Sequence, residues 1–259
     1  TADTTSYILD TTAPTISFSA VDISADTGTA DDDFETKTAA QTLTAVLSAA
    51  MAADDILKVS INAGAAWVTI TNDVTGDPDT ALSTAITLTD DTTSAIHLQI
   101  TDDAGNTGTA DTTAYTHDDT APTTTYASVA ISADTGTSSS DFLTKTAAQD
   151  LTAELSAAMA ADDILEVSVN AGSNWAVVTG DVTGDPDVDL DTDITLSGTS
   201  AIHLRITDDA GNVGTADTTS YVLDTTAPTV TVGSTDISAD TGTADDDFNT
   251  KTAAQTLTA

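Results

Sequence analysis

Aspartate supplies most of the side chains here that could do chemistry. Of 42 acidic residues only Glu35, Glu154 and Glu166 are glutamates; Lys and Arg number five, and there is no Cys. The acids fall in short groups that return at fixed offsets. One set is Asp10, then Asp54 and Asp55, then Asp102, Asp103 and Asn106. It reappears as Asp118, then Asp162 and Asp163, then Asp208, Asp209 and Asn212, and Asp224 opens it once more. A second set, Asp26 and Asp33, recurs as Asp134 and Asp141 and as Asp240 and Asp247. Carboxylates gathered without a nearby cation cannot all stay ionised unless a metal ion joins them. Ca2+ suits such a set, because it accepts about six to eight oxygens from carboxylates, amides and backbone carbonyls; Mg2+ demands stricter geometry and keeps its waters. The competing account is that each Asp serves its own turn, where Asp is favoured anyway. For a single Asp that account is better. For clusters that recur together, calcium is expected.

Other acidic runs read as solvated charge. Asp31 and Asp32 become Ser139 and Ser140 in the second occurrence, and Gly76-Asp77-Pro78-Asp79 is a turn first. The alternation Asp185, Asp187, Asp189, Asp191, Asp193 keeps only its first two members in its counterpart from Asp77 to Ala85. It is expected to be a solvated strand face that shields an edge. The EF-hand spacing is not met. His97 and His203 fall on the polar face of a strand, and His117 takes a place held by Leu9 and Leu223 elsewhere; each is expected to be an exposed or half-buried imidazole without a role. Trp67 and Trp175 follow a hairpin turn and are expected in the core, with a sugar-stacking surface ring as the minority reading.

These groups are positioned by repeats. ISADTGT begins at Ile23, Ile131 and Ile237, spacings of 108 and 106 residues, and Ala-Pro recurs at Pro14, Pro122 and Pro228. TDDAGN, SAAMAADDIL and VTGDPD each occur twice, and the two-residue length difference sits in the stretch before Ile96, as expected of a surface loop. A period this long is a whole domain rather than a solenoid unit. The expected division is a preceding repeat's last strand at 1–12, repeats at 13–120 and 121–226, and the beginning of another at 227–259. The chain reads as a window from a longer protein, since it lacks an initiator Met and a signal-like segment at Thr1.

Each repeat reads as strands. Leu151, Ala153, Leu155, Ala157 and Met159 alternate with Asp150, Thr152, Glu154 and Ser156, a period of two. The Leu43, Leu47, Met51 spacing would also suit a helix, but the intervening Thr residues favour a strand. Ile56 to Ile70 is two apolar runs joined at Asn-Ala-Gly, a hairpin signal, and Ile96, Leu98 and Ile100 alternate with polar neighbours before the turn Asp-Asp-Ala-Gly-Asn. About seven such strands per repeat is the pattern of an all-β, immunoglobulin-like sandwich. In that topology the leading linker and the B–C and F–G turns share one pole, so Asp10, Asp54, Asp55, Asp102, Asp103 and Asn106 should converge where two domains meet. The A–B loop, with Asp26 and Asp33, lies at the other pole as a separate candidate.

The combination of DTG, VSxNAGxxW, TDDAGN and DTTAPT at fixed offsets resembles the tandem Ig-like extender repeats of giant RTX-type bacterial surface adhesins, including the calcium-stabilised arm of an ice-binding adhesin. The resemblance spans both complete repeats and both partial ones. It implies a secreted, cell-surface rod of domains with Ca2+ at the junctions, holding a distal binding module away from the cell.

Composition narrows the alternatives. A net charge of −37 leaves no basic surface for nucleic acid or anionic lipid. No apolar run approaches a membrane span. An enzyme is not expected, because no His, Cys or Lys recurs near a candidate Ser. Paired carboxylates could hydrolyse sugars, but these acids sit in turn motifs. A carbohydrate-, ice- or host-protein-binding module is a rival, though the Thr residues lack the short period of an ice-binding array. The shaft of an extracellular filament or surface layer shares fold and metal. The expected partners are calcium ions and neighbouring repeats of the same chain.

Overall fold

The computed structural model describes residues 7–30, 32–89, 92–184, 186–244 and 247–259. Residues Thr1–Leu223 form one compact unit, which holds two β-sandwiches, and Asp224–Ala259 form another.

The first sandwich contains β1 (Phe18–Ile23), β2 (Glu35–Thr36), β3 (Ala40–Leu47), β4 (Ile56–Ser60), β5 (Val68–Thr69), β6 (Val74–Gly76), β7 (Asp79–Thr87), β8 (Thr92–Thr101) and β9 (Asp111–His117). The second repeats them as β10 (Tyr126–Ile131), β11 (Leu143–Thr144), β12 (Ala148–Leu155), β13 (Ile164–Ser168), β14 (Ala176–Val177), β15 (Val182–Gly184), β16 (Asp187–Thr195), β17 (Thr199–Thr207) and β18 (Asp217–Leu223). A four-stranded sheet in the order β1-β3-β7-β6 faces a five-stranded one in the order β2-β9-β8-β4-β5, and the second sandwich has the same two orders. This is the all-β, immunoglobulin-like architecture the alternation predicts. The expected seven strands become nine, because two-residue pairings are included. One of these, β2, lies inside the A–B loop and pairs parallel with β9.

Alternation decides each core. In β3 the side chains of Gln41, Leu43, Ala45 and Leu47 are buried while Ala40, Thr42, Thr44 and Val46 are exposed, and β12 follows the same pattern. A helix over this stretch would have spread those positions around its circumference. Leu43, Leu57, Ile96 and Leu98 pack with Tyr115 in the first core, and Leu151, Leu165, Ile202 and Leu204 with Tyr221 in the second. Burying each such aliphatic side chain is worth about 1.5–3 kcal/mol. The Tyr115 hydroxyl donates to the Ile61 carbonyl at 2.7 Å, as Tyr221 does to Val169, so each tyrosine fastens a last strand to a hairpin on the same sheet.

Three sequence expectations are corrected. Trp67 and Trp175 are absent from the cores; they are half-buried, with ring centroids 6.1 and 6.2 Å from His97 and His203. The hairpin turns aim them there, since the Trp67 and Trp175 rings lie against Gly64 and Gly172. His117 is buried, because its place in β9 faces inward, and its Nδ1 lies 3.2 Å from the Thr89 carbonyl. The acidic alternation is exposed at Asp187, Asp189, Asp191 and Asp193, but β16 is an edge along only part of its length, since β15 covers it from Asp187 to Leu190. Asp31 and Asp185 lie outside the described residues; Asp32 is exposed.

In the unit Asp224–Ala259, β19 (Asp236–Ile237) pairs with β20 (Leu257–Thr258), and the A–B loop is already shaped as in the complete repeats. Asp240 Oδ2 accepts from the Phe248 N–H at 2.9 Å, and Asp247 Oδ1 accepts from the Asn249 N–H.

Candidate functional site

The A–B loop is built around a strained residue. Phe34, Phe142 and Phe248 have φ of 60, 58 and 59°, a left-handed conformation unfavourable for a side chain of this size. Asp26 Oδ2 holds Phe34 there by accepting its N–H at 3.0 Å, and Asp134 Oδ2 does the same for Phe142. The other oxygens, Asp26 Oδ1 and Asp134 Oδ1, are buried without a hydrogen-bond partner. Burial raises the Asp26 carboxyl above its ordinary pKa; the Phe34 N–H opposes this, and the neighbouring Asp33 carboxylate, within hydrogen-bonding reach, adds to it.

At the opposite pole the F–G turn is a closed local unit. Asp208 accepts from the Asn212 N–H through Oδ1 at 2.7 Å and from Asn212 Nδ2 through Oδ2 at 2.9 Å. The remaining Asn212 amide hydrogen reaches the carbonyl of the linker residue Asp118 at 2.8 Å. Asp102, Asn106 and Asp10 repeat the arrangement. The Asn106 side chain, followed by backbone N–H groups of the turn, holds the Asp102 carboxyl below its ordinary pKa. The B–C turns cap themselves: Asp55 and Asp163 accept from the N–H groups of Ala52 and Ala160. Asp118 and Asp224 do likewise for Thr120 and Thr226. Turn service therefore accounts for both oxygens of Asp102 and Asp208 and for one oxygen each of Asp55, Asp118, Asp163 and Asp224.

Between the repeats the two poles meet. The Thr27 hydroxyl donates to the Ala210 carbonyl at 2.7 Å, and Lys37 Nζ donates to the Gly211 carbonyl at 2.6 Å. The A–B loop of the first repeat thus sits on the F–G turn of the second, and the sites read separately from sequence adjoin. Glu35, unmarked by sequence reasoning, has its carboxyl raised by burial and then by Asp209, which is in hydrogen-bonding reach, by Asp33 and by Asp162. Asp163 is raised by burial and then by Asp208, Asp209 and Asp162. Linker, B–C turn, F–G turn and the preceding A–B loop contribute to one acidic junction. Among the described residues no three acidic or His side chains already form a metal-holding group.

The acids divide by environment. Asp54, Asp103 and Asp162 are exposed, whereas Asp208 and Asn212 are buried. The A–B pairs Asp134 with Asp141 and Asp240 with Asp247 keep the loop geometry of Asp26 with Asp33.

No family model and no curated protein matches this chain. Among solved structures, the crystal structure of chicken CNTN1 FN1-FN3 domains is similar with a TM-score of 0.35 and 11% identity, over 70% of this chain and 62% of that one, so the chain spans under two thirds of it. A cytokine receptor complex is similar with a TM-score of 0.24 and 12% identity, over 72% and 92%. At these TM-scores neither likeness bears on function; the sandwich is defined by its own strand order.

Proposed function

We propose that the chain is a non-catalytic structural extender of a large secreted bacterial surface adhesin, stiffened by Ca2+ at its repeat junctions so that a distal binding module is held away from the cell. The observation that carries this reading is the junction itself. Glu35 and Asp209 approach each other from different repeats, and Asp163 faces Asp208 and Asp209. Buried, unpartnered oxygens on Asp26 and Asp134 fit the same chemistry in the A–B loops. Asp33, Glu35, Asp118, Asp162, Asp163, Asp208 and Asp209 would hold the ion at the junction, with Asp10, Asp54, Asp55, Asp102, Asp103 and Asn106 as the equivalent set before the first repeat. A bound Ca2+ supplies positive charge that removes their mutual repulsion. This chain's own residues do the rest: Asn212 fixes the linker at Asp118, and Thr-Ala-Pro limits its torsions.

Partners on this reading are calcium ions and neighbouring repeats, outside the cell and without nucleic acid or membrane insertion. Among the described residues no helix is long and apolar enough to cross a membrane. The shaft of an extracellular filament shares the same fold and ion. A carbohydrate-binding module draws support from the Trp67–His97 pair outside the core, whereas the Trp175 ring carries Arg205 at 3.8 Å.

The test is thermal unfolding and small-angle scattering in EDTA and in millimolar Ca2+. At 100 times its dissociation constant, an ion that binds only the folded state adds about 2.7 kcal/mol. The expected result is a higher melting temperature together with a stiffer, longer particle. Identical curves in both buffers would remove calcium as the organiser.

A further inference from the structure

We propose that the outer face of the first sandwich's five-stranded sheet, at Trp67, His97 and Lys58, binds a hexuronate sugar, with its ring on the indole and its carboxylate on the lysine. This rests on the carbohydrate-binding reading above and not on calcium.

The second repeat shows what the space over this tryptophan holds. There Arg205 Cζ lies 3.8 Å from the Trp175 ring centroid, and its Nε donates to Glu166 Oε2 at 2.7 Å. One planar cation thus spans a fixed carboxylate and an indole face. The first repeat keeps the frame. Trp67 stands to His97 as Trp175 does to His203, with ring centroids 6.1 and 6.2 Å apart, and Gly64 and Gly172 lie against both rings of each pair with φ of 86 and 80°. Lys58 is opposite Gln99 on the neighbouring strand, as Glu166 is opposite Arg205. What differs is that pair. Lys58 replaces Glu166 and Gln99 replaces Arg205, so the fixed charge is reversed and the covering cation is gone. The Gln99 side chain is engaged elsewhere, since its Nε2 donates to the Gly108 carbonyl at 3.0 Å. Among the described residues no cation lies over the Trp67 ring and no acid pairs with Lys58.

The group that fits is the inverse of Arg205: a carboxylate carried on a surface that stacks on indole. A pyranose ring has such a surface, because the indole face is the negative part of its quadrupole and attracts weakly positive C–H groups. Sugar hydroxyls then meet His97 and, opposite it on β9, the exposed Thr112. The surroundings suit an anion. The outward places near Trp67 are Lys58, His97, Gln99, Thr112 and Ala114, and none is acidic in a chain with 42 acids. A uronate therefore reaches Lys58 over this face without passing a carboxylate.

Heteronuclear NMR of the isotopically labelled full chain tests this, in EDTA so that calcium cannot bridge uronate to aspartate. Sodium glucuronate and methyl glucopyranoside are titrated into the millimolar range at one ionic strength of about 0.15 M, where the chain's repulsion reaches only about 8 Å. The Trp67 indole N–H is expected to shift saturably with glucuronate, while the Trp175 indole, beneath its arginine, stays in place. K58M should weaken glucuronate binding about fivefold, the upper range for an ion pair in contact with solvent, and leave the glucoside unchanged. E166K/R205Q, which copies the first repeat's pair into the second, should make the Trp175 indole respond to glucuronate. Equal affinity for the two sugars, glucuronate binding undiminished in K58M, or a silent Trp175 in E166K/R205Q overturns the uronate site while leaving the carbohydrate-binding reading in place. No shift of Trp67 with either sugar overturns both.

Discussion

Gly211→Ala, with Gly105→Ala as its control, isolates the contribution of the junction. Both glycines have φ near +90°, so alanine brings the same left-handed strain, about 1–2 kcal/mol, to either turn. At Gly105 the new Cβ is in open space. At Gly211 it runs into the Thr27 carbonyl and lies 3.7 Å from Lys37 Nζ, so the A–B loop must withdraw. Two bonds are lost. The Thr27 hydroxyl bond is a neutral one, worth about 1 kcal/mol net. The Lys37 bond involves a charge, but its site is exposed, which limits it to about 1 kcal/mol. The excess cost at Gly211 is thus about 2 kcal/mol, near 30-fold in the unfolding equilibrium of the second repeat. For a domain of about 100 residues that corresponds to roughly 8–16 °C in melting temperature. Urea unfolding in EDTA reads each repeat by its own tryptophan: a W67F background leaves Trp175 to report the second repeat for Gly211→Ala, and a W175F background leaves Trp67 to report the first for Gly105→Ala. Equal costs at the two glycines, within about 0.5 kcal/mol, would show that the loop and turn do not hold each other, and the reasoning would fail.

Three further outcomes are expected. Asp26, Glu35 and Asp163 have raised carboxyl pKa values in the folded chain, so their protonation favours folding: that contribution is fully present below their unfolded values and is lost as pH rises through the folded ones. Calorimetry in EDTA should accordingly show the junction gaining stability relative to an E35Q/D163N variant as the pH falls from neutral to the ordinary carboxylate range of about 4, and no relative change would contradict the assignment. Asp26→Asn keeps an acceptor for the Phe34 N–H while removing charge beside Asp33; it should be neutral or stabilising in EDTA and should reduce the gain on adding Ca2+, in paired melts. Gln149→Leu should destabilise the second repeat by about 3 kcal/mol in urea titration, because Gln149 is buried and bonds to Ala133, Thr144 and Thr146 around the A–B loop.

What was legible in the sequence follows from how local each signal is. The alternation in β3 and β12 is a property of consecutive residues, so sheet, face and core could all be read from it. Strand β2 has two residues and a parallel partner about 80 residues away, and no local pattern marks it. The two sets of acids could be found by recurrence, yet the meeting of A–B loop and F–G turn joins Thr27 to Ala210, a separation of 183 residues in different repeats. One signal did exist. Of the five basic residues, Lys37, Lys145 and Lys251 hold one repeat position, which solvated charge has no reason to conserve within an acidic chain. Gln41, Gln149 and Gln255 carried a similar mark, and their side chains close the A–B loop in all three places. Trp67 was misplaced because aromatic character after a hairpin says nothing about which face the turn presents.

The second repeat's outer sheet face limits what acidity can do for a tandem chain. Asp150 lies directly opposite Asp193 and Glu154 opposite Asp189, pairs that oppose each other across adjacent strands. The first repeat has Thr42 opposite Ala85 and Val46 opposite Ala81 in the same register. Like charges in direct opposition each destabilise by a few tenths of a kcal/mol. Exchanging β7 into the second sandwich would relieve both pairs while leaving its core unchanged in kind, since Leu82 and Ile86 occupy the inward places of Leu190 and Ile194. The charges therefore oppose face-to-face approach between whole chains, and favour rather than prevent strand exchange between adjacent repeats. Resistance to exchange has to come from elsewhere in each repeat. The tyrosine that ties the last strand to its own hairpin and the glutamine that closes its own A–B loop are both bonds made within one repeat, and both must be surrendered before a neighbour's strand can enter.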